Sequence, residues 1–126
     1  MAMLGVQRIM TGQNVEANDV MHCFLGLRSL EIDVYFYLLK GRATVKEVAE
    51  ALGRNRSTVQ RAIQNLVQRG FAHRRTRTLR KGGYVYLYEA VSLATMKDLI
   101  KAALDSFYKQ IEEFLDQYWA ESTKPI

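Results

Sequence analysis

The chain has 126 residues, 48% hydrophobic and 25% charged, a balance that suits one packed domain and argues against disorder. A single cysteine and two histidines exclude an internal disulfide framework and leave too few ligands for a Cys/His zinc site. The longest apolar run, Val34–Leu39, is far shorter than the ~20 residues that cross a bilayer. Met1–Met10 carries Gln7 and Arg8 and lacks an apolar core followed by a small-residue cleavage site, so a soluble intracellular protein is expected.

Net charge is +5, from 18 Lys+Arg against 13 Asp+Glu, and its distribution is uneven. Arg54 to Lys81 holds nine basic residues (Arg54, Arg56, Arg61, Arg69, Arg74, Arg75, Arg77, Arg80, Lys81) and no acidic one. A basic run is often no more than a solvated face. Without acidic counter-charge, it suits a ligand that supplies the negative charge.

In chain order, Met1–Gln13 reads as a weakly ordered arm. A short helix follows from Asn14 to about Phe24, with Val20, Met21 and Phe24 on one side and Gly26 interrupting it. Cys23 lies between His22 and Phe24. An oxidant-sensing thiol needs exposure and a lowered pKa, and a buried, inert cysteine is the plainer reading. Ser29 is a candidate N-cap, and Glu31 sits in the first turn, near the positive end of the dipole. Ile32, Tyr35, Phe36 and Leu39 recur at helical spacing until Gly41.

Thr44 and Glu47 form a capping-box pattern ahead of Val45, Val48, Ala49 and Leu52, and Gly53 suits the left-handed residue past the end. The next helix starts almost at once, capped by Asn55 or Ser57. Its apolar stripe is Val59, Ala62, Ile63, Leu66 and Val67, and Gly70 ends it. Two short helices joined by a tight glycine turn are a helix-turn-helix pattern. Phe71–Leu79 and Tyr84–Glu89 flank Lys81-Gly82-Gly83 and predict a β-hairpin. Tyr84, Tyr86 and Tyr88 share one face, which suits packing on the domain or on a dimer partner better than stacking on unpaired bases. From Ser92 to about Ala120 runs one helix of about 29 residues, roughly 43 Å long. Leu93, Ile100, Phe107 and Phe114 repeat every seventh residue, with Leu104, Ile111 and Tyr118 in the complementary positions.

The expected fold is therefore α+β and mostly helical: a winged helix-turn-helix with a two-stranded β-wing and a long C-terminal dimerisation helix. The expected divisions are an arm over 1–13, the winged domain over 14–91, and the dimerisation helix and tail over 92–126. Opposite its apolar stripe the third helix of the domain presents Arg56, Ser57, Gln60, Arg61 and Gln64 at four-residue spacing. Arginine donates twice to guanine, glutamine pairs with adenine, and Ser/Thr reach phosphate. Arg54, Asn55 and Thr58 extend this set. Arg74, Arg75, Arg77, Arg80 and Lys81 on the hairpin fit phosphates or a narrow minor groove, or simply protect a sheet edge. A terminal helix with seven apolar seam residues calls for a partner, and a two-fold homodimer is the simplest one.

These residues resemble a known family. Gly26-Leu27-Arg28-Ser29-Leu30-Glu31, Thr44-Val45-Lys46-Glu47-Val48-Ala49, Arg56-Ser57-Thr58-Val59-Gln60-Arg61-Ala62-Ile63, Leu66-Val67-Gln68-Arg69-Gly70-Phe71 and Gly82-Gly83-Tyr84 look like the winged-helix domain of MarR- and TrmB-type transcriptional regulators. With the long helix included, nearly the whole chain is similar to small archaeal regulators of the Lrs-like type. The resemblance implies a homodimer held by the last helix. It also implies double-stranded DNA contacts from Arg56, Ser57, Thr58, Gln60, Arg61, Arg75, Arg77, Arg80 and Lys81. The C-terminal sugar-binding domain of full-length TrmB proteins has no counterpart here, so their effector is not carried over.

Catalysis has no support. His22 and His73 are far apart, and no phosphate-binding loop, HExxH, GxSxG or CxxC motif is present. No cofactor, metal or membrane partner is expected. Three other roles stay open: general chromatin-like DNA binding, RNA or single-strand binding through the tyrosines and arginines, and a winged helix used as a protein-interaction module.

Overall fold

The computed structural model describes residues 2–122, with side chains from 7 to 119. The outermost parts of the expected arm and tail, Met1 and 123–126, lie outside the described residues. The elements are α1 (Ala2–Thr11), α2 (Ala17–Leu25), α3 (Ser29–Leu39), α4 (Val45–Leu52), α5 (Arg56–Gln68), β1 (Ala72–Thr78), β2 (Tyr84–Ala90) and α6 (Leu93–Ser122). This is the mostly helical winged helix-turn-helix that the apolar periodicity predicts.

The start of the chain departs from that reading. The expected arm contains the helix α1, whose Arg8 guanidinium donates to both carboxylate oxygens of Asp19 at 2.7 and 2.8 Å. An ion pair between residues this far apart leaves no trace in local periodicity. Helix α2 begins at Ala17 rather than Asn14, because Asn14 adopts φ 55°, a left-handed conformation that asparagine tolerates. Glu16 is instead the extended N-cap, and its N–H donates to Asp19 Oδ2 at 3.0 Å. The predicted cap of α3 shifts by one residue as well. Arg28 is the extended N-cap and Ser29 already lies within the helix. The Arg28 N–H donates to Glu31 Oε1 at 2.8 Å, so the first-turn glutamate caps the helix from inside.

The helix pair follows the sequence closely. Thr44 Oγ1 accepts from the Glu47 N–H, and Glu47 Oε1 accepts from the Thr44 N–H, both at 3.1 Å. Gly53 ends α4 at φ 62°. Of the two candidate caps for α5, Asn55 is the one used: its Oδ1 accepts from the Ser57 N–H at 2.8 Å.

The core is one cluster drawn from every layer. Leu27, Ile32, Val34, Tyr35, Leu38, Val48, Val59, Ile63 and Leu66 interlock beneath Phe71, Tyr88, Val91 and Met96. Tyr35 is fully enclosed, and its hydroxyl donates to the Val91 carbonyl at 2.9 Å, tying α3 to the connection between wing and α6. The strands pair antiparallel from Ala72↔Ala90 to Thr78↔Tyr84. At the wing's base Ala43 and Tyr88 exchange two backbone hydrogen bonds of 3.0 and 2.8 Å, so the α3–α4 loop runs alongside β2 and fixes the wing relative to the helix pair.

Helix α6, with 30 residues, extends about 45 Å. Its first turns belong to the body: Ser92 Oγ accepts from the Thr95 N–H, Met96 is buried, and Leu99, Ile100 and Ala103 pack on the core. Ile100, expected in the seam, is half-buried and packs against the core. Beyond Ala103 every described α6 side chain is exposed.

Candidate nucleic-acid interface

Helix α5 is held by its buried side and offers the other to solvent. Val59, Ala62, Ile63 and Leu66 are buried, while Arg56, Ser57, Gln60, Arg61 and Gln64 are exposed and Thr58 is half-buried. Asn65 lies between the two sides, and its amide donates to Glu31 Oε2. Glu31 is itself buried. This one carboxylate thus caps α3 and anchors α5 to it, setting the angle at which the exposed strip leaves the surface.

The strip borders three clefts. Arg56 and Gln60 line one of about 420 Å³ with Thr44, Val45, Lys46, Val85, Tyr86 and Tyr88, between α5, the start of α4 and the wing. Thr58 and Arg61 line another of about 570 Å³ with Gly26, Arg28, Leu30 and Glu31, on the α3 side. Gln64 continues the wing-side row into a third cleft beside His73 and Arg74. The rows 56-60-64 and 57-61 expected from spacing therefore turn toward different neighbours. Arg54 is exposed in the turn before α5. Asn55 is also exposed, with its side-chain oxygen committed to the cap.

The strand register divides the wing arginines between two faces. Arg74, Thr76 and Thr78 oppose Tyr88, Tyr86 and Tyr84, whereas His73, Arg75 and Arg77 oppose Glu89, Leu87 and Val85. The Arg74 guanidinium lies 4.3 Å from the Tyr86 ring centroid, a cation–π contact that holds it on the face turned toward α5. Tyr88 packs into the core, while Tyr84 and Tyr86 stay exposed with ring centroids 5.4 Å apart. Of the three tyrosines, Tyr88 packs within the domain and the other two stay at the surface. Arg80 and Lys81 are exposed in the hairpin tip, where Gly82 and Gly83 take φ 92° and 79°, a region that side chains beyond glycine disfavour.

Two arginines of the basic segment are engaged within the chain. Arg69 donates to the Leu25 carbonyl at the end of α2, and its guanidinium lies 5.1 Å from the Phe71 ring centroid. Arg75 bonds Glu89 at 2.6 Å, and Arg42 bonds the other oxygen of that carboxylate at 2.9 Å. Arg75 and then Arg42 hold the Glu89 carboxyl below the usual range. Lys46, Arg28 and Arg42 were missed at the sequence level because each belongs to the turn before α3, the turn before α4 or α4 itself, and only the fold brings them beside α5 and the wing. Cys23, expected to be buried, is exposed. His22 Nδ1 lies 2.9 Å from the Leu27 carbonyl.

The other exposed surface is apolar. Leu104, Phe107, Tyr108, Ile111, Phe114, Leu115, Tyr118 and Trp119 are all exposed on α6. Phe107 meets Phe24 of α2 edge-to-face at 5.8 Å, and Phe114 stacks on Tyr118 at 5.7 Å. Tyr108, Leu115 and Trp119 widen this exposed apolar face beyond the heptad positions. Leu93, at the seam's other end, lines a separate apolar cleft with Met21, Phe36 and Met96. Among the described residues no helix is long and apolar enough to cross a membrane.

Residues 21–94 match the family described as "Sugar-specific transcriptional regulator TrmB". An uncharacterized protein of Methanocaldococcus jannaschii, MJ1082, is 43% identical over 107 residues, spanning 84% of this chain and 88% of that protein. A possible transcriptional regulator from Methanosarcina mazei has a similar structure, with a TM-score of 0.72 at 24% identity over 80% of this chain and 87% of that one. A MepR mutant from S. aureus, solved bound to an oligodeoxyribonucleotide, shares the fold with a TM-score of 0.52 at 17% identity, covering 91% of this chain and 78% of that one. The match runs from α2 through the helix pair and wing to the first turn of α6, and on it the chain belongs to the TrmB family of winged-helix transcriptional regulators.

Proposed function

We propose that this regulator binds double-stranded DNA in a sequence-specific manner as a homodimer, with α5 in the major groove and the wing on the backbone or in the minor groove. The observation that carries the reading is the outer strip of α5, where exposed Arg56, Ser57, Gln60, Arg61 and Gln64 have no acidic side chain among them. A helix of this kind fits the major groove and offers bidentate donors to base edges. The similarly folded MepR mutant was solved with an oligodeoxyribonucleotide, which supports the same use of the fold here.

In this reading Arg56 and Gln60 face the wing-side cleft with Lys46, and Arg61 faces the α3-side cleft with Arg28. Arg74, Arg77, Arg80 and Lys81 supply the wing's charge to phosphate. Arg75, expected in the same set, is held by Glu89. The apolar face of α6 takes a second copy, since water-exposed Phe, Ile and Leu side chains each forgo about 1.5–3 kcal/mol of burial. A two-fold pair then places its recognition helices about 34 Å apart, one turn of DNA.

The test is fluorescence anisotropy on a random-sequence duplex and on the DNA upstream of the protein's own coding region, titrated with salt. Six to ten phosphate contacts give a loss of roughly 10³–10⁵ in affinity between about 50 and 200 mM salt. A preference for the upstream duplex establishes a specific regulator. The same slope without preference makes it a general architectural protein, and no binding at low salt ends the DNA reading.

A further inference from the structure

The Arg42–Glu89–Arg75 cluster lies on the wing face opposite the tyrosines, and no part of the reading above uses it. Glu89 gives one oxygen to each arginine, Oε1 to Arg75 at 2.6 Å and Oε2 to Arg42 at 2.9 Å. Both guanidinium side chains are 54% exposed, and the carboxylate between them is 24% exposed. The cluster joins three segments, because Arg42 comes from the α3–α4 loop, Arg75 from β1 and Glu89 from β2. The Ala43–Tyr88 backbone bridge brings the loop into range. Two forked donors converging on one anion is the arrangement that also receives a phosphodiester, and here the anion is supplied internally.

We propose that Arg42 and Arg75 form a second phosphodiester-contact site on the outer face of the wing, and that Glu89 keeps it shut. This rests on the DNA-binding reading. Each guanidinium gives only its Nε–H to Glu89, but a backbone phosphate reaching the remaining donors of Arg75 lies beside the carboxylate, so its attraction to the two arginines is offset by repulsion from Glu89. Consequently Arg75 contributes little to DNA affinity in the native protein, unlike Arg77 on the same strand face and Arg80 at the tip. Removing the carboxylate's charge frees both arginines to contact phosphate together. The competing account is a staple, in which Glu89 holds the wing against the α3–α4 loop and its loss weakens DNA binding. Exposed ion pairs contribute little to stability, and Ala43 and Tyr88 keep their backbone bonds in either case.

The two accounts predict opposite signs. Wild type, Arg75→Ala, Glu89→Gln and the double variant are titrated with a random-sequence duplex across a salt series, with a thermal melt of each to confirm folding. Expected are an Arg75→Ala affinity within about twofold of wild type and a Glu89→Gln affinity roughly 5–10-fold tighter near 0.1 M salt. The Glu89→Gln salt slope is steeper by about 0.9, the increment for one added phosphate contact. The double variant loses most of that gain. Glu89→Gln binding no tighter than wild type overturns the proposal, as does an Arg75→Ala loss of equal size in both backgrounds. Wild type failing to bind any duplex at low salt removes the DNA reading itself, an outcome distinct from wild-type binding with an unresponsive Glu89→Gln.

Discussion

Helix α5 is buried along one side and exposed along the other, whereas α6 is buried only in its first turns and exposed beyond Ala103, and their exposed strips have opposite chemistry. That of α5 is arginine, glutamine and serine without a carboxylate, whereas that of α6 is Phe107, Ile111, Phe114, Leu115 and Trp119. A polar strip can stay in water indefinitely, so its lack of acidic residues is the informative feature. An apolar strip of this size is unfavourable in water, so its exposure is informative by itself. The comparison is broken most severely at α6. If α6 pairs with a second copy as proposed, Ile111→Asp with Phe114→Asp removes four apolar side chains from the interface, two from each copy, and weakens self-association by about 6 kcal/mol or more. Analytical ultracentrifugation should then show a monomer that still folds; an unchanged dimer would move the interface away from this face.

Within α5, substitutions on the two sides should separate stability from binding. Ile63→Ala opens a cavity in the core and should destabilise folding by about 2–5 kcal/mol in urea. Asn65→Ala takes a donor from the buried Glu31 carboxylate, and a hydrogen bond to a charged group contributes about 1.5–3 kcal/mol. That variant also frees the tilt of α5, so DNA binding should weaken with stability. Arg56→Ala and Arg61→Ala should leave urea midpoints nearly unchanged. Each should reduce binding to the preferred duplex by about 1–3 kcal/mol if it contacts bases. Equal losses on random and preferred DNA would make them phosphate contacts and assign specificity elsewhere.

What the sequence shows and what it hides divide along contact range. Periodicity placed α3, α4 and α5 within a residue or two, since each buries one stripe against the same core, and placed α6 through a repeating apolar stripe that is mostly exposed. The Thr44–Glu47 box and Gly53 were legible because capping is local chemistry. The outer strip of α5 was legible for the same reason, being the complement of its buried stripe. Contacts that depend on tertiary approach were hidden. Glu31 looked like an ordinary first-turn acid until Asn65 and the Arg28 N–H were seen to meet it. Arg69 and Arg75 counted equally with their neighbours in a basic run, yet one caps α2 and the other is paired with Glu89. Ile100 fitted the heptad and also packs against the core, because the first turns of α6 close the core before the helix leaves it.

The smallest expected effect concerns α1, which unlike α6 is fastened by charge. Arg8 and, second, the Glu16 N–H hold the Asp19 carboxyl down to about 2. In the unfolded chain the same group titrates near 3.9. A folded pKa below the unfolded one means the stabilisation is fully present above about pH 5 and is lost as pH falls through about 4 toward 2. Arg8→Ala removes the main cause, so the melting temperature of that variant should be lower than wild type at neutral pH. The two profiles should converge as Asp19 becomes protonated in both proteins. The Arg8 side chain is 34% exposed, so solvent screens the pair and the separation should narrow further in high salt. Profiles that stay parallel from pH 7 to pH 2 would mean that apolar contact, rather than this pair, holds α1 to α2. The N-terminal helix would then be attached as the first turns of α6 are.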